Sequence, residues 1–241
     1  MPARKNPRKA ADAAAARPKR GGSAAHEDSE APAAMPGARG PNEKVRARMR
    51  SRLMVAARAV MARKGIEGTA INDITDEAQV AFGSFYNYFS SKEEIARAVF
   101  VEDVTATADL LDRNSPADKD IVLTVSLNIQ WTLRHAITDP IWGWFLVHTA
   151  SSVGDLMENM TDRLKRDIRT GINEGRFCVA DVLTSADAII GGALRVLRHI
   201  LEGRRPAAAI DHFVAFTLRG LGVAQDESAR VVKTSRKYKI K

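Results

Sequence analysis

The stretch from Thr69 to Lys92, TAINDITDEAQVAFGSFYNYFSSK, alternates apolar and polar positions in a way that predicts two short helices and the start of a third. Ile71, Ile74 and Ala78 recur at three- and four-residue steps, the spacing that keeps side chains on one helix face. After a break around Gln79 and Val80, Phe82, Phe85 and Phe89 can point inward while Gly83, Ser84, Tyr86, Asn87 and Tyr88 present small or polar groups elsewhere. The first helix is too short to be stable alone. Two short helices joined this way make a helix-turn-helix.

The helical period continues on both sides. From Val45, VRARMRSRLMVAARAVMARKG places Met49, Leu53, Ala56, Ala57 and Val60 on one stripe, with Arg46, Arg48, Arg50 and Arg52 near its start and Gly65 as a C-terminal cap. Ser91, followed by Lys92, Glu93 and Glu94, begins a long helix to about Leu111: its hydroxyl can cap the free amides and the acids favour the positive end. Asn114, Ser115 and Pro116 stop it. Beyond them, breaks at Asp139-Pro140, Val153-Gly154, Gly175 and Gly203 to Pro206 divide the chain into helices over about 118–138, 141–151, 155–174, 180–203 and 207–222. No segment alternates well enough for a strand; VLTVSL at 122–127 comes nearest, and its flanks continue a helical period. The expected fold is all-α with about nine helices: a three-helix unit over 44–105, with the motif at about 70–89, and a helical bundle over 106–224. Residues 1–43, rich in Ala, Pro, Gly and charge, are expected to be a disordered basic tail. The basic tail 225–241, QDESARVVKTSRKYKIK, has little apolar period and is expected to fray.

Charge sharpens this division. The chain of 241 residues carries a formal net charge of +8, which suits an anionic partner without choosing between nucleic acid and membrane. Residues 44–92 hold nine Lys/Arg against four Asp/Glu, whereas 93–225 hold fourteen against eighteen, so a basic small unit is joined to a mildly acidic larger one. A single cysteine, Cys178, excludes an intramolecular disulfide and a Cys-cluster metal site. No His/Asp/Glu cluster has metal spacing, and no metal or cofactor is expected. Even the most apolar run, AIIGGALRVL at 188–197, is interrupted by Arg195, so no membrane span is expected. The basic N-terminus lacks the apolar core of a secretory signal, and a cytoplasmic location is the expectation.

A basic first helix, then TAINDIT, the turn, GSFYNYF and SSKEEI, resembles the N-terminal DNA-binding domain of TetR-type transcriptional regulators over roughly residues 45–105. The resemblance implies a homodimer that binds a palindromic operator in double-stranded DNA through two recognition helices and releases it when a small molecule enters the C-terminal domain. Matched to the family pattern, Phe82, Gly83 and Asn87 fall where bases are faced, and Ser84, Tyr86, Tyr88 and Lys92 where phosphates are held. Gly83 permits close approach, the hydroxyls can donate to phosphate oxygens, and Asn87 can reach a base edge, with adenine its preferred bidentate partner. Thr69 is expected to cap the second helix and, as in the family, to reach the DNA backbone. The turn departs from the family's usual Ala-Gly-Val-Ser/Thr, having Ala78, Gln79, Val80 and Ala81. A positive φ at Gln79 costs about 1 kcal/mol relative to Gly, and Ala81 offers no side-chain cap. Phe82 can make only apolar contact, most naturally with a thymine methyl, or else pack within the protein.

In the larger unit, Trp131 and His135 lie four apart, and Trp142, Phe145 and His148 follow at three-residue steps. With Met157 they form a candidate effector pocket, or a plain core stripe. Gly191-Gly192 inside a helix costs about 2 kcal/mol and calls for close packing against another helix; the resemblance implies that the last two long helices form the dimer interface, with Ala188, Gly191, Gly192, Leu194, Phe213, Phe216 and Leu218 as its candidate residues. Intrachain packing would also satisfy it. An α-helical enzyme is disfavoured: the chain has no phosphate-binding glycine loop, no nucleophile elbow and no paired carboxylates at a defensible spacing. A regulator without a small-molecule ligand stays open.

Overall fold

The computed structural model describes residues 41–114, 120–150 and 154–238, with the side chains of 41, 108, 112, 114 and 154–160 outside the description. Of the tail expected over residues 1–43, residues 1–40 lie outside the described residues, and 41–43 are helical. Ten α-helices and no strand occur among them: α1 Pro41–Lys64, α2 Ile71–Glu77, α3 Phe82–Phe85, α4 Lys92–Asn114, α5 Ile121–Thr138, α6 Pro140–Thr149, α7 Gly154–Asn173, α8 Val182–Leu201, α9 Ala209–Gly220 and α10 Gln225–Ser235.

Helices α1 to α3 close around one apolar centre. The stripe read from the sequence supplies Leu53, Ala57 and Val60 of α1, to which Met61, Ile74, Ala78, Phe85, Phe89 and Ile95 add; all are buried. Truncating either phenylalanine to Ala would cost about 3–5 kcal/mol, enough to abolish so small a unit. Helix α1 begins at Pro41, four residues before the expected start, and ends at Lys64, followed by Gly65, whose φ of +71° provides the left-handed C-terminal step.

Helix α4 runs from the helix-turn-helix into the bundle. The Ser91 hydroxyl accepts from Glu94 N at 3.1 Å, and the Glu94 carboxylate accepts from Ser90 N and Oγ at 2.6 Å, a reciprocal cap. These Ser90 bonds hold the Glu94 carboxyl below its usual range. Helix α6 follows α5 with Asp139 alone between them; Pro140 takes the first helical position and Asp139 Oδ1 accepts from Trp142 N at 3.1 Å. Helix α1 packs on both α4 and α6, and α5 lies against α6, α8, α9 and α10.

The segment expected to fray after residue 225 is instead helix α10, docked on α5 and α9. Its inward face is built from Ser228, Val232 and Ser235, so a search for apolar period passes over it. Burial is made tolerable by hydrogen bonds: Ser126 Oγ and Ser235 Oγ are 2.8 Å apart, and Gln130 Nε2 donates to Ser235 Oγ at 2.8 Å and to Val232 O at 3.1 Å. Arg176 fastens the helix start by pairing with both Asp120, the N-cap of α5, and Glu227 of α10.

Candidate nucleic-acid interface and effector cavity

The turn between α2 and α3 is a Schellman arrangement made without glycine. Val80 N donates to Thr75 O at 2.9 Å and Gln79 N to Asp76 O at 3.0 Å, the 6→1 and 5→2 bonds that close a helix through a left-handed residue. That residue is Gln79, with φ +52°. Its side-chain oxygen accepts from Arg52 Nη2 at 3.2 Å, which sets a guanidinium of α1 beside the turn. Ala81 precedes α3 with no side-chain cap.

Thr69 does not cap α2. The N-cap is Ala70, whose N–H donates to Asp73 Oδ2 at 2.9 Å, and the Lys64 ammonium and this amide hold the Asp73 carboxyl below its usual range. Thr69 is buried, with its hydroxyl donating to Gly65 O at 2.6 Å. Holding the α1–α2 turn consumes that donor, so the phosphate role expected of Thr69 has no support in its geometry.

Around α3 the residues sort by helical face. Phe85 and Phe89 enter the core, while Phe82, Gly83, Tyr86 and Asn87 are exposed at i, i+1, i+4 and i+5, one continuous outer face. Phe82 thus stands outside, 49% exposed, and does not pack within the protein. A Cβ built on Gly83 would meet nothing within 4 Å, so no neighbour in this chain requires glycine there. Ser84 and Tyr88 are half-buried at the flanks, and Lys92, also half-buried, donates from Nζ to Glu67 O at 3.2 Å. Along α1, Arg46, Arg48, Arg50 and Arg52 are exposed, and Arg50 lies 5.1 Å above the Phe89 ring.

In the bundle, a cavity of about 610 Å³ opens among α4 to α8. Its apolar walls come from Val101 and Val104 of α4, Ile129 and Leu133 of α5, Trp142 and Leu146 of α6, Leu164 of α7, and Ile190 and Leu194 of α8. Polar groups gather on the α5 and α7 sides: Asn128, Thr132, Asp162, Arg163, Arg166 and Asp167, with Asn128 Nδ2 donating to Asp167 Oδ2 at 3.4 Å.

Of the six residues proposed from sequence for a pocket, Trp142 lines this cavity. His135 stacks on Trp131 at 4.9 Å and leans on Trp142 at 5.2 Å, so these two stand behind the wall. Phe145 is core, and His148 lies in a separate groove with Ala59, Ala62, Arg63 and Trp144. The Met157 side chain lies outside the described residues. The polar α7 residues were missed because alternating Asp and Arg on an amphipathic helix reads as a solvated face. Asn128, isolated among apolar residues of α5, was the available signal.

The candidate dimer residues divide likewise. Ala188, Gly191 and Phe216 are exposed on α8 and α9, joined by exposed Leu183. Gly192 faces inward: a Cβ there would come within 2.8 Å of the Phe213 ring. Leu194 turns to the cavity, and Leu218 is fully buried in the chain's own core.

A helix-turn-helix with an open polar and aromatic face, joined by a continuous helix to a cavity-bearing bundle, is the build of a DNA-binding regulator. Residues 53–99 match the family model for bacterial regulatory proteins of the tetR family, and residues 120–234 match the tetracyclin repressor-like C-terminal domain. The chain belongs to the TetR family of transcriptional regulators, a non-enzymatic family of DNA-binding proteins. It is 32% identical over 81 residues to the HTH-type transcriptional regulator YvdT of Bacillus subtilis, covering 34% of this chain and 42% of that one. It is 42% identical over 50 residues to an HTH-type regulator in the lacX 3'region of Lactococcus lactis, covering 21% and 26%. The chain thus matches less than half the length of these curated relatives.

Among solved structures, RolR in complex with resorcinol is similar over 82% of this chain and 99% of its own, at 27% identity and a TM-score of 0.65. FadR of Bacillus subtilis in complex with stearoyl-CoA shares the fold at 17% identity and a TM-score of 0.61, over 70% and 98% of the two chains. No described helix is long and apolar enough to cross a membrane.

Proposed function

We propose that this regulator is a homodimeric repressor that leaves its palindromic operator when a compact apolar molecule bearing hydroxyl groups, a phenol or aromatic diol, enters the bundle cavity. The observation that carries this reading is the make-up of the cavity: apolar walls of Val, Leu, Ile and Trp with Asn128, Arg163 and Asp167 gathered on one side. An apolar body gains from burial, while amide, guanidinium and carboxylate groups supply both donors and acceptors for hydroxyls. About 610 Å³ lies within the range of small-molecule sites, about 300–1,000 Å³, and leaves room beyond a single ring. RolR, similar over most of both chains, is solved with resorcinol, an aromatic diol. The cavity shares α4 with the DNA-binding helices, so a ligand that favours another placement of α4 biases operator affinity by its differential affinity for the two states.

On the DNA side, Phe82, Gly83 and Asn87 face bases, and Ser84, Tyr86, Tyr88 and Lys92 hold phosphates. Thr69 is left out because its hydroxyl is engaged inside the protein. The exposed strip of Leu183, Ala188 and Gly191 on α8 with Phe216 on α9 pairs with its copy, holding two readers at the spacing of a palindrome.

The experiment begins with a duplex selected by the protein from a random-sequence pool. Resorcinol and a set of phenols are then titrated into the complex while DNA anisotropy is followed. Release by the hydroxylated aromatics, lost in Asp167→Asn protein that still binds the duplex, is the expected result. A complex indifferent to every compound in the set would favour a regulator controlled without a small molecule.

A further inference from the structure

Arg58 projects from α1 between carboxylates on two other helical elements. Its Nη2 donates to Asp139 Oδ2 at 2.5 Å, and its Nε lies 3.3 Å from Asp103 Oδ2 on α4. The two contacts are not equivalent. Arg58 Nε and Asp103 Oδ2, both shielded from solvent, complete no hydrogen bond despite their separation. A shielded donor and a shielded acceptor, paired as ions but without the geometry of a hydrogen bond, have something to gain from a small rotation. Burial pushes the Asp103 carboxyl up to about 6 against the pull of Arg58, and Glu102 on its own helix and Asp139 at the start of α6 push the same way.

Both carboxylates are carried by helices that wall the cavity, although neither lines it. Asp139 caps α6 through the Trp142 amide, and the Trp142 side chain lines the cavity. Asp103 lies on α4 between Val101 and Val104, which line it too. Arg58 itself is on α1, where Ala57 and Met61 pack into the core shared with Ile74, Phe85 and Phe89 of the helix-turn-helix. One planar fork therefore joins the helix that carries the DNA-binding core to α4 and to the start of α6, two helices that wall the cavity.

We propose that Arg58 is the positioning residue that carries effector occupancy to the DNA-binding helices, by moving its hydrogen bonding from Asp139 to Asp103 when a molecule in the cavity shifts α6 against α4. This rests on the cavity being the effector site. Coupling between separated sites needs an element with two discrete arrangements that both sites bias, and a guanidinium with two carboxylates in reach supplies one. With Arg58 on Asp139, α1 is held to α6; with Arg58 on Asp103, α1 follows α4 and the reading helices turn with it.

The test uses the full-length protein, the selected duplex, resorcinol as probe, and two variants that remove charge while keeping volume. Asn caps helices as well as Asp does, so Asp139→Asn retains the start of α6. In that variant Arg58 turns to Asp103, and the Asp103 titration, followed by carboxyl carbon NMR, falls toward the ordinary aspartate range by more than the same substitution lowers it in an Arg58→Met background, where only the loss of the Asp139 charge acts. Operator affinity without resorcinol drops about fivefold or more, the lower end of usual coupling between sites. In Asp103→Asn, resorcinol still binds by calorimetry while its power to release DNA falls by a similar factor. An Asp103 that still titrates near 6 in Asp139→Asn, or falls no further than in the Arg58→Met background, or an operator affinity unchanged in Asp139→Asn, overturns the proposal. Should resorcinol not bind wild type, the effector class given above is wrong, and the Asp139→Asn titration and affinity still decide the role of Arg58.

Discussion

Phe82 and Tyr86 meet edge to face on the outer side of the protein, with 5.5 Å between ring centroids and an interplanar angle of 76°. Each is about half exposed, at 49% and 52%, so the pair forms an apolar ridge with a hydroxyl at its edge. Such a ridge suits a thymine methyl beside a phosphate. Phe82→Ala is expected to leave the fold intact and weaken specific binding about fivefold, the effect of about 1 kcal/mol. Replacing the contacted thymine by deoxyuridine should weaken wild type equally and leave the variant unaffected, which competition binding can measure.

Lys92 and Tyr86 are assigned to phosphates, and their roles separate under salt. Lys92→Ala should lower affinity for all duplexes alike and flatten the slope of log affinity against log salt by about 0.9 for each phosphate that is no longer neutralised. Tyr86→Ala should lower affinity at every salt concentration. Unchanged binding in both variants, folded by circular dichroism, would remove α3 and the start of α4 from the DNA surface.

Gln79 holds φ +52° in the turn. Relief of that conformation makes Gln79→Gly more stable by about 1 kcal/mol, reduced somewhat by the greater freedom of glycine in the unfolded chain and by removal of the Arg52 hydrogen bond, which is exposed and weak. Urea unfolding at fixed protein concentration measures it.

Asp103 gives stability a pH dependence of definite sign. Its carboxyl binds a proton more readily in the folded protein, at about 6 against the ordinary 3.8. Stability from this group is therefore greatest at low pH and declines as pH rises from about 4 to about 6, by roughly 3 kcal/mol in all. Asp103→Asn should abolish that decline and stabilise the protein near pH 7, as urea titrations across the pH range would reveal.

Phe216 on α9 is 66% exposed. If the α8–α9 strip is the dimer interface, Phe216→Glu places two charges at an apolar contact without disturbing the protomer's own core. Light scattering should then report a monomer with unchanged helix content, and operator affinity should fall as the two readers lose their fixed spacing.

Much of this architecture is written locally. Leu53, Ala57 and Val60 repeat at helical steps, and Ser91 and Glu94 carry their own cap; each of these follows from neighbours within one or two turns. The outward placement of Gly83, Tyr86 and Asn87 follows in the same way, whereas Phe82, which helical phase groups with Phe89, turns outward; the Thr69 hydroxyl, with a choice between the cap of α2 and the carbonyl of Gly65 four residues back, takes the carbonyl.

What local pattern does not encode is which helix faces which. Ser126 and Ser235 stand 109 residues apart and Arg58 and Asp139 stand 81 apart; their pairing turns a polar tail into docked helix α10 and an ordinary arginine into a tie between α1 and α6. The α7 charges facing the cavity and the Leu194 side chain turned away from the α8–α9 strip belong to the same class. Periodicity assigns a residue to a side of its own helix, whereas burial, ion pairing and cavities come from the close packing of several helices at once, and only the tertiary structure sets that.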